Sequence, residues 1–233
     1  MWRLAERFQS WEQSLHSKYG RRVGTPQERR DAEWYVRWVD HGALRAPYHN
    51  FGKVADGVFR SNQPDHARLV HYQRAGIETI LNLRGADPHA FYLFEQESCA
   101  ALGIALVDHA MEARKAMSVE TLTGLLDHFE QLPRPFLMHC KSGADRTSIA
   151  AALWKLHMEK RSLAAAWGEM SFGYLHIQKS RTGILDMLLA SYGEYIRDHK
   201  AIPVREWIEE KYDPQALEAR FERFRLAGYR LES

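Results

Sequence analysis

The sequence has little of what marks specialised classes of protein. Two of its 233 residues are cysteine, too few for a disulfide framework and compatible with a reducing compartment. No apolar run approaches the roughly 18 residues that a membrane-spanning helix needs. The formal net charge is +2, which excludes the strong global basicity of proteins that bind mainly nucleic acid. We therefore expect neither a transmembrane segment nor a nucleic-acid partner.

The opening segment also lacks the continuous apolar core of a secretory signal, because charged residues interrupt it. Its apolar residues instead recur at spacings of three and four, which predicts an amphipathic helix over residues 2–18. Without a signal or a membrane span, the expected location of the protein is the cytoplasm.

What the sequence does contain is the composition of a globular protein, with 45% hydrophobic and 27% charged residues. Strand-like and helix-like segments alternate between residues 50 and 160. This order predicts an α/β fold with a central, mostly parallel sheet of about four to five strands flanked by helices. Because only helices are predicted outside that region, we expect a single domain over residues 1–233. It would comprise an N-terminal helical extension (1–45), a catalytic core (50–160) and C-terminal helices (161–233).

Local signals predict the bounds of several elements. Residues 25–28, Thr-Pro-Gln-Glu, form a capping box with Pro at the first helical position, which predicts a helix that runs to about Asp40 and stops at Gly42. The tripeptide Ala-Asp-Gly at 55–57 predicts a hairpin turn between two short strands. After residue 160, no strand is predicted, and the expected helices lie at about 162–172, 182–198, 203–211 and 214–227.

One segment, 139–148, stands out for its chemistry. It reads His-Cys-Lys-Ser-Gly-Ala-Asp-Arg-Thr-Ser, follows a short apolar strand and leads directly into a helix. Such a loop directs backbone N–H groups and a helix dipole toward one concavity, which favours an anion. Gly143 permits the tight curl, and Arg146 can donate to two oxygens of one oxyanion. We therefore predict a phosphate-binding loop that comprises Lys141, Ser142, Gly143, Ala144, Asp145 and Arg146.

Cys140 stands at the base of this predicted loop. The charge of Arg146 and the helix dipole lower the pKa of its thiol, so that the thiolate exists near neutral pH. A thiolate beneath bound phosphate is a nucleophile directed at phosphorus. The hydroxyl of Thr147 can hydrogen-bond the sulfur and assist its departure, whereas His139 is expected to order the loop. A buried cysteine after a strand is usually only a small hydrophobe, but the combination of these neighbours favours the chemical role.

The segment 139–147, His-Cys-x5-Arg-Thr, resembles the signature of the cysteine-dependent protein tyrosine and dual-specificity phosphatase superfamily, in particular its atypical bacterial members. Residues 58–64 and 76–84 are similar to two strands of those phosphatases, and the resemblance covers about 51–160. It implies a dual-specificity-phosphatase-like fold and a two-step reaction. The thiolate attacks phosphorus while a carboxylic acid protonates the leaving oxygen, and water then hydrolyses the phosphocysteine. The resemblance implies no metal and no cofactor, and the sequence contains no HExxH motif or Cys/His cluster.

The acid that the resemblance implies remains open among three carboxylates. Counting back about 30 residues from Cys140, the family's usual separation, reaches Asp108, our first candidate. Counting forward from the preceding strand reaches Glu112, which is better placed for a mobile loop. Asp145 is the third candidate, since some atypical bacterial members carry Asp there, although it could instead hold the loop. The acid must titrate near the working pH, because it acts first as acid and then as base.

Other residues admit two interpretations. Lys141 either contacts a second phosphate or is a solvated lysine. Arg60 and Arg84, at strand ends, are expected to pair with carboxylates. The polar stretch 173–183 either covers the site or simply connects two helices, and Cys99 is expected in the core.

These observations predict a phosphatase whose substrate is a phosphorylated protein or a small phosphorylated molecule. The first hypothesis is protein phosphotyrosine, with phosphoserine and phosphothreonine as further substrates. The alternative, with the same mechanism, is a phosphoinositide, phospholipid or inositol-phosphate phosphatase. A phosphate-binding module that has lost turnover and a sulfur-transfer domain are less consistent with an intact Cys140, Arg146 and following hydroxyl. No oligomeric state is predicted.

Overall fold

The structure, a computed structural model, describes residues 21–229, so the helix predicted over 2–18 lies outside the described residues. The five strands are β1 (Gly52–Ala55), β2 (Val58–Asn62), β3 (Thr79–Asn82), β4 (Ala105–Asp108) and β5 (Phe136–Cys140). The α-helices of the described residues are α1 (Pro26–Trp34), α2 (Gly42–Arg45), α3 (His66–Arg74), α4 (Ala90–Leu102), α5 (Val119–Gln131), α6 (Arg146–His157), α7 (Leu163–Glu169), α8 (Ile184–Asp198), α9 (Val204–Glu210) and α10 (Pro214–Leu226). A π-helical turn, Tyr35–Val39, and two 3₁₀ turns, Phe172–Tyr174 and Arg181–Gly183, complete the regular structure of this range.

The five strands form one sheet in the order β1-β2-β5-β3-β4. Strand β1 is antiparallel to β2, as the predicted hairpin requires, and all other pairs are parallel. Helices lie on both faces, which confirms the predicted α/β fold class. Strand β5 is in the centre and all five of its residues are buried, as expected for a strand between two helical layers. The carboxyl end of β5 is therefore the middle of one sheet edge, where the predicted loop begins.

Alternate residues of β5 face different cores, as the period of two in a strand dictates. Phe136, Met138 and Cys140 belong to the larger core, with side chains of α5, α6 and the C-terminal helices. Leu137 belongs to a smaller core with residues of α3 and α4, among them Cys99. The prediction that Cys99 is a core residue is confirmed, and the two cysteines pack in different cores.

The predicted capping box at the start of α1 is confirmed. The backbone N–H of Glu28 donates to Thr25 Oγ1 at 3.2 Å, and the N–H of Thr25 donates to Glu28 Oε2 at 3.0 Å. These reciprocal bonds satisfy two donors that a helix start leaves free.

The helical run ends where the sequence predicts, because the π-helical turn continues α1 to Val39 with Asp40 as the C-cap, but the predicted stop at Gly42 is wrong. Helix α1 passes into the π-helical turn, His41 takes a left-handed conformation at φ 60°, and Gly42 begins α2 instead of stopping a helix. A Cβ atom at position 42 would lie 2.6 Å from the carbonyl oxygen of Val36. The glycine therefore allows α2 to pack closely on the π turn. A tertiary contact of this kind has no local sequence signal.

Four helices follow α6, and no strand occurs between residue 160 and the end of the described range, as predicted. The predicted cap of the last helix is confirmed, because the Asp213 carboxylate accepts from the N–H groups of Gln215 and Ala216 and Pro214 is the first helical residue. Helices α8 and α9 extend the larger core with buried side chains such as Leu188 and Trp207. None of the helices within residues 21–229 has the length and apolarity of a membrane span.

Candidate active site

The predicted phosphate-binding loop, residues 141–145, joins the central strand to α6. Cys140 is the last residue of β5 and is 2% exposed, and Arg146 is the first residue of α6. Gly143 has a φ of +71°, and a Cβ atom there would lie 2.8 Å from backbone atoms of Ser61 and Asn62. Only glycine fits this position, since it combines a left-handed conformation with contact against β2.

The carbonyl groups of three consecutive loop residues point outward, each toward a donor from another part of the chain. A peptide N–H points opposite to the carbonyl beside it, so this arrangement turns the amide donors of the loop toward its concave side. Together with the N-terminus of α6, these donors favour an anion there. The outward bonds join Lys141 O to the Gln63 N–H (3.4 Å), Ser142 O to Asn50 Nδ2 (3.1 Å) and Gly143 O to Arg60 Nη2 (2.9 Å).

Inside the loop, the Ala144 N–H donates to Ser142 Oγ at 3.3 Å. An oxyanion that enters the concavity would compete with this long bond for the same donor. Ser142 and Ala144, two of the predicted phosphate contacts, are thus joined by a hydrogen bond within the loop.

The thiol of Cys140 lies in a field that favours its ionised form. Burial alone would raise the pKa of the Cys140 thiol, but the positive charge of Arg146 and hydrogen bonding from Thr147 outweigh it and lower that pKa. The Thr147 hydroxyl is fully buried and forms no hydrogen bond with a nitrogen or oxygen of the described residues. The structure thus brings Cys140, Arg146 and Thr147 together as the sequence predicts.

The Arg146 guanidinium forms no ion pair with a carboxylate of the described residues. Its Nη1 donates to the carbonyl of Leu83 at 3.4 Å, and it takes part in none of the ion pairs formed within residues 21–229. Because the guanidinium stands at the first turn of α6 beside the loop, its remaining donors can bind an oxyanion in the concavity.

His139 supports the loop from behind. Its Nε2 lies 2.8 Å from the Glu95 carboxylate, and Gln63 Nε2 donates to the same carboxylate at 2.7 Å. All three side chains are buried, so His139 is a structural neighbour of the loop and does not face its concave side.

Arg60 supports the loop from the side and is itself fully buried. It pairs with Glu169 at 2.8 Å, as predicted, and also donates to Ser148 Oγ at 2.7 Å. The ring of Tyr174 stacks on its guanidinium, with 3.5 Å between that group and the ring centroid. One arginine of β2 thereby joins the loop, α6 and the segment that follows α7.

A second buried charge cluster forms around Asp40, which sequence reasoning missed. Its carboxylate pairs with Arg45 at 2.7 Å, Arg84 at 3.0 Å and Lys141 at 3.2 Å. Burial alone would raise the pKa of Asp40, but these three cations hold it well below its usual range. Arg84 pairs with a carboxylate as predicted, and the ammonium of Lys141 is held by an ion pair on the side of the loop.

Asp108, the first candidate for the acid, ends β4 and lies along the same sheet edge as Cys140. Its carboxylate accepts from Asn82 Nδ2 at 2.8 Å and from the Tyr92 hydroxyl at 2.5 Å. Burial and this carboxylate together raise the pKa of Tyr92 to about 12, so the tyrosine stays a donor. These two hydrogen bonds fix the orientation of the Asp108 carboxyl group.

Glu112, the second candidate, is exposed on the loop that joins β4 to α5, together with Arg114 and Lys115. Asp145, the third candidate, immediately precedes α6. It accepts from Thr182 Oγ1 at 2.9 Å and contacts His176 Nδ1 at 2.8 Å. The three candidates therefore differ clearly in their surroundings.

The polar stretch 173–183 reaches the loop through several contacts. His176 is buried between Asp145 and Asp186, with its Nε2 2.6 Å from the latter carboxylate. Asn50 Nδ2 donates both to Ser142 O and to the Tyr174 carbonyl, at 3.1 and 2.9 Å. The stretch therefore packs against the loop and does more than connect two helices, whereas Lys179 and Arg181 are exposed.

No group of three or more His, Cys, Asp or Glu side chains within residues 21–229 is arranged to hold a metal ion. The site of the described residues is thus made of a thiol, a guanidinium, backbone donors and single carboxylates.

Comparison with known proteins finds phosphatases of similar sequence or fold. The inositol diphosphatase DSP4 of Arabidopsis thaliana is 32% identical over 114 residues, which cover 46% of this chain and 54% of that protein, so the chain spans about half the length of this curated relative. A cysteine-to-serine variant of TpbA from P. aeruginosa, in complex with phosphotyrosine, is similar in fold, with a TM-score of 0.50, 21% identity and coverage of 70% of this chain and 93% of that one. The core catalytic domain of the PP-IP phosphatase SIW14 from S. cerevisiae, in complex with citrate, matches with a TM-score of 0.48, 22% identity and coverage of 59% and 84%.

The match that defines the family comes from a family model described as DSP-PTPase phosphatase fused to NAD+ kinase, which covers residues 53–182. This range includes the hairpin, the sheet, the whole loop from Cys140 to Arg146 and the stretch that contains His176. Because the match extends over more than half of the chain, the protein belongs to this family of phosphatases, within the cysteine-dependent tyrosine and dual-specificity phosphatase superfamily.

Proposed function

We propose that this phosphatase hydrolyses phosphate monoesters of proteins without a metal ion, through a phosphocysteine formed on Cys140. The observation that carries the proposal is a buried thiol of lowered pKa at the base of a loop with inward amide donors, beside an Arg146 that no carboxylate of the described residues pairs with. Such a site stabilises the negative charge that develops on transferred phosphate oxygens.

In the first step, the Cys140 thiolate forms a bond to phosphorus as the ester oxygen leaves with its electron pair. Loop N–H groups and Arg146 donate to the phosphoryl oxygens, and a carboxylic acid gives its proton to the leaving oxygen. In the second step, water attacks the phosphocysteine, and the same carboxylate takes the proton of that water. The sulfur leaves as a thiolate that accepts from the Thr147 hydroxyl, and inorganic phosphate is released.

The surroundings of the three carboxylates rank them for the acid role. Asp108 accepts hydrogen bonds from Asn82 and Tyr92, and Asp145 contacts Thr182 and His176, so these contacts fix the orientation of both carboxyl groups. Glu112 is exposed on the loop after β4, where a carboxylic acid can approach a bound ester. We therefore propose Glu112 as the acid and assign Asp108 and Asp145 to holding the sheet edge and the loop.

The nearest basic groups favour a substrate with a single phosphate. Lys141, the residue of the loop that could contact a second phosphate, already pairs with the buried Asp40. This pairing supports a phosphorylated side chain over an inositol polyphosphate, although one relative is named as an inositol diphosphatase.

The packing of the N-terminal segment and the C-terminal helices supports a single phosphatase domain. The C-terminal helices share the larger core with α6 and β5, and Asp40 and Asn50 bring the N-terminal segment to the loop. We propose that residues 1–233 act together as one phosphatase domain.

The test is hydrolysis of para-nitrophenyl phosphate from pH 5 to pH 8 with a chelator present, for the wild type and Cys140→Ser. We expect chelator-resistant turnover in the wild type, and in the variant no turnover but retained vanadate binding. Activity in Cys140→Ser would contradict the nucleophile, and vanadate binding without wild-type turnover would indicate a binding module.

The same assay identifies the acid when it is run with good and poor leaving groups. Glu112→Gln should lose most rate on alkyl and phenyl phosphates and least on para-nitrophenyl phosphate, because a good leaving group needs little protonation. Asp108→Asn and Asp145→Asn should lose rate equally on both. A leaving-group effect in either of those two variants would move the acid there, and a panel of phosphopeptides and inositol phosphates then tests the substrate.

A further inference from the structure

A buried histidine lies between two carboxylates next to the loop, and the reaction above does not use it. His176 is 3% exposed, and each ring nitrogen faces one carboxylate, Nδ1 that of Asp145 at 2.8 Å and Nε2 that of Asp186 at 2.6 Å. A neutral imidazole has one donor nitrogen and one acceptor nitrogen. If both carboxylates are ionised, only the imidazolium provides a donor to each.

The surroundings stabilise that cation. Burial alone would lower the pKa of His176, but hydrogen bonds and charge from Asp145 and Asp186 outweigh it and raise that pKa to about 9. Thr182 Oγ1 adds a further donor to Asp145. At neutral pH a His176 imidazolium thus stands between the carboxyl groups of Asp145 and Asp186.

Asp145 is also part of the field at the nucleophile. Its negative charge opposes ionisation of Cys140, whereas Arg146 favours it, and Arg60 interacts with the same sulfur from β2. An uncompensated carboxylate next to Arg146 would also attract the guanidinium that phosphate needs. A cation held on Asp145 removes both effects.

We propose that His176 is a positioning residue of this phosphatase, a buried imidazolium that fixes Asp145 on the 173–183 stretch and compensates its charge, so that Cys140 stays ionised and Arg146 stays available to phosphate. The inference rests on the proposed function in that it takes Cys140 as the nucleophile. It assigns a chemical reason to the contact between that stretch and the loop, since a merely packed segment would not change the ionisation of the thiol.

The direct test is the pH dependence of Cys140 alkylation by iodoacetamide in His176→Gln, which keeps a donor but removes the charge. We expect the thiol pKa to rise by about one unit, the lower end of what a neighbouring charge produces. The acidic limb of kcat/KM should move by the same amount. An unchanged alkylation profile in a folded variant would overturn the proposal.

A second variant separates charge from packing. In His176→Gln/Asp145→Asn the carboxylate next to the thiol is neutral, so the thiol pKa should return to within a few tenths of its wild-type value even though one more native contact is lost. A further rise in the double variant would contradict charge compensation and indicate a purely structural role.

His157→Gln is the matched control. His157 is also buried and contacts a carboxylate, Glu130, at 2.6 Å, but it stands at the far end of α6 from the loop. Its replacement should lower stability without moving the alkylation profile. If His157→Gln shifts the alkylation profile as much as His176→Gln does, the profile reports a general loss of stability. That result would contradict the proposal.

If His176→Gln does not fold, the wild type still tests the proposal through the ring ¹⁵N shifts of His176. Both nitrogens should be protonated at pH 7.5, and a neutral ring there would overturn it. The alkylation rate reports the ionisation of the Cys140 thiol and does not depend on hydrolysis. The experiments can therefore contradict the proposed function and the role of His176 independently. A wild type without turnover would contradict the proposed function alone, whereas full turnover with an unmoved thiol pKa would contradict this inference alone.

Discussion

At the scale of single residues, the loop depends on the absence of one carbon atom. Gly143 combines a φ of +71° with a backbone contact that would place a Cβ atom 2.8 Å from Ser61 and Asn62. Backbone atoms cannot yield as a flexible side chain does, so a methyl group there must displace the loop from β2. The amide donors of the loop would then no longer converge on one point.

Gly143→Ala should therefore abolish vanadate binding and lower the free energy of unfolding by about 2 kcal/mol or more, because overpacking adds to backbone strain. Urea unfolding and vanadate titration measure the two effects. Gly103→Ala is the control, since Gly103 has a φ of +68° and open space around its missing Cβ. It should lose only about 1 kcal/mol from the strained conformation, with binding intact. Equal losses in both variants would show that strain alone matters.

The residues of the loop could be predicted because their signals are local. A strand, a cysteine, a glycine, an arginine and a hydroxyl residue follow one another between positions 136 and 147. The supports of the loop have no such signal, since His176 meets Asp145 across 31 positions and Asp40 meets Arg84 across 44. A histidine in a polar stretch was visible in the sequence, but the carboxylates on either side of it depend on the fold.

At the scale of elements, the segment from α1 to α2 contributes a buried anion to the edge of the site. Asp40 is 1% exposed and faces Arg45, Arg84 and Lys141. Removing it would leave three cations without their shared carboxylate, and an unpaired buried charge is strongly destabilising. The segment is thus tied to the loop by charge as well as by packing.

Asp40→Asn should lower the free energy of unfolding at pH 7 by about 3–5 kcal/mol. The folded pKa of Asp40 is depressed, so its contribution is fully present above the unfolded pKa and is lost as the pH falls below it. The difference between variant and wild type should therefore shrink by about 1 kcal/mol at pH 3.

Urea unfolding at the two pH values measures this difference. Asp56→Asn, which removes a fully exposed partner of Lys53, is the control and should change almost nothing. A difference that does not depend on pH would contradict the charge argument.

Strands and helices that are bounded by local turn or capping signals could be predicted closely, whereas the π-helical turn could not. The hairpin turn at 55–57 and the caps of α1 and α10 lie where the sequence predicts them. The helical run reaches Asp40 as predicted, but the π-helical form of Tyr35–Val39 and the close approach of Gly42 to Val36 have no local sequence signal.

At the scale of the whole molecule, the sheet separates the two cysteines into different environments. Burial raises the pKa of Cys99 to about 12, whereas the loop lowers that of Cys140. Because only thiolates react appreciably with alkylating agents, the two thiols should differ strongly in rate.

Native protein treated with iodoacetamide at pH 7.5 should therefore take up a single adduct, at Cys140, and a second only after unfolding. Mass spectrometry of the intact protein and its peptides counts and locates the adducts. Cys140→Ser should take up none in the native state, and rapid labelling of Cys99 there would contradict the assignment of Cys99 to a closed core.

The central position of β5 has a consequence for how the protein becomes active. Strand β5 inserts between β2 and β3, so Phe136 pairs with Val58 on one side and with Thr79 on the other. Pairing partners so far apart along the chain make folding slow, because long loops must close before these contacts form. Until β5 is in place, β2 and β3 each have an unpaired edge, and the loop after Cys140 has no strand to hold its position. During refolding, turnover should then reappear only in the last phase, when β5 completes the sheet. The recovery of enzymatic activity would therefore measure when folding is complete.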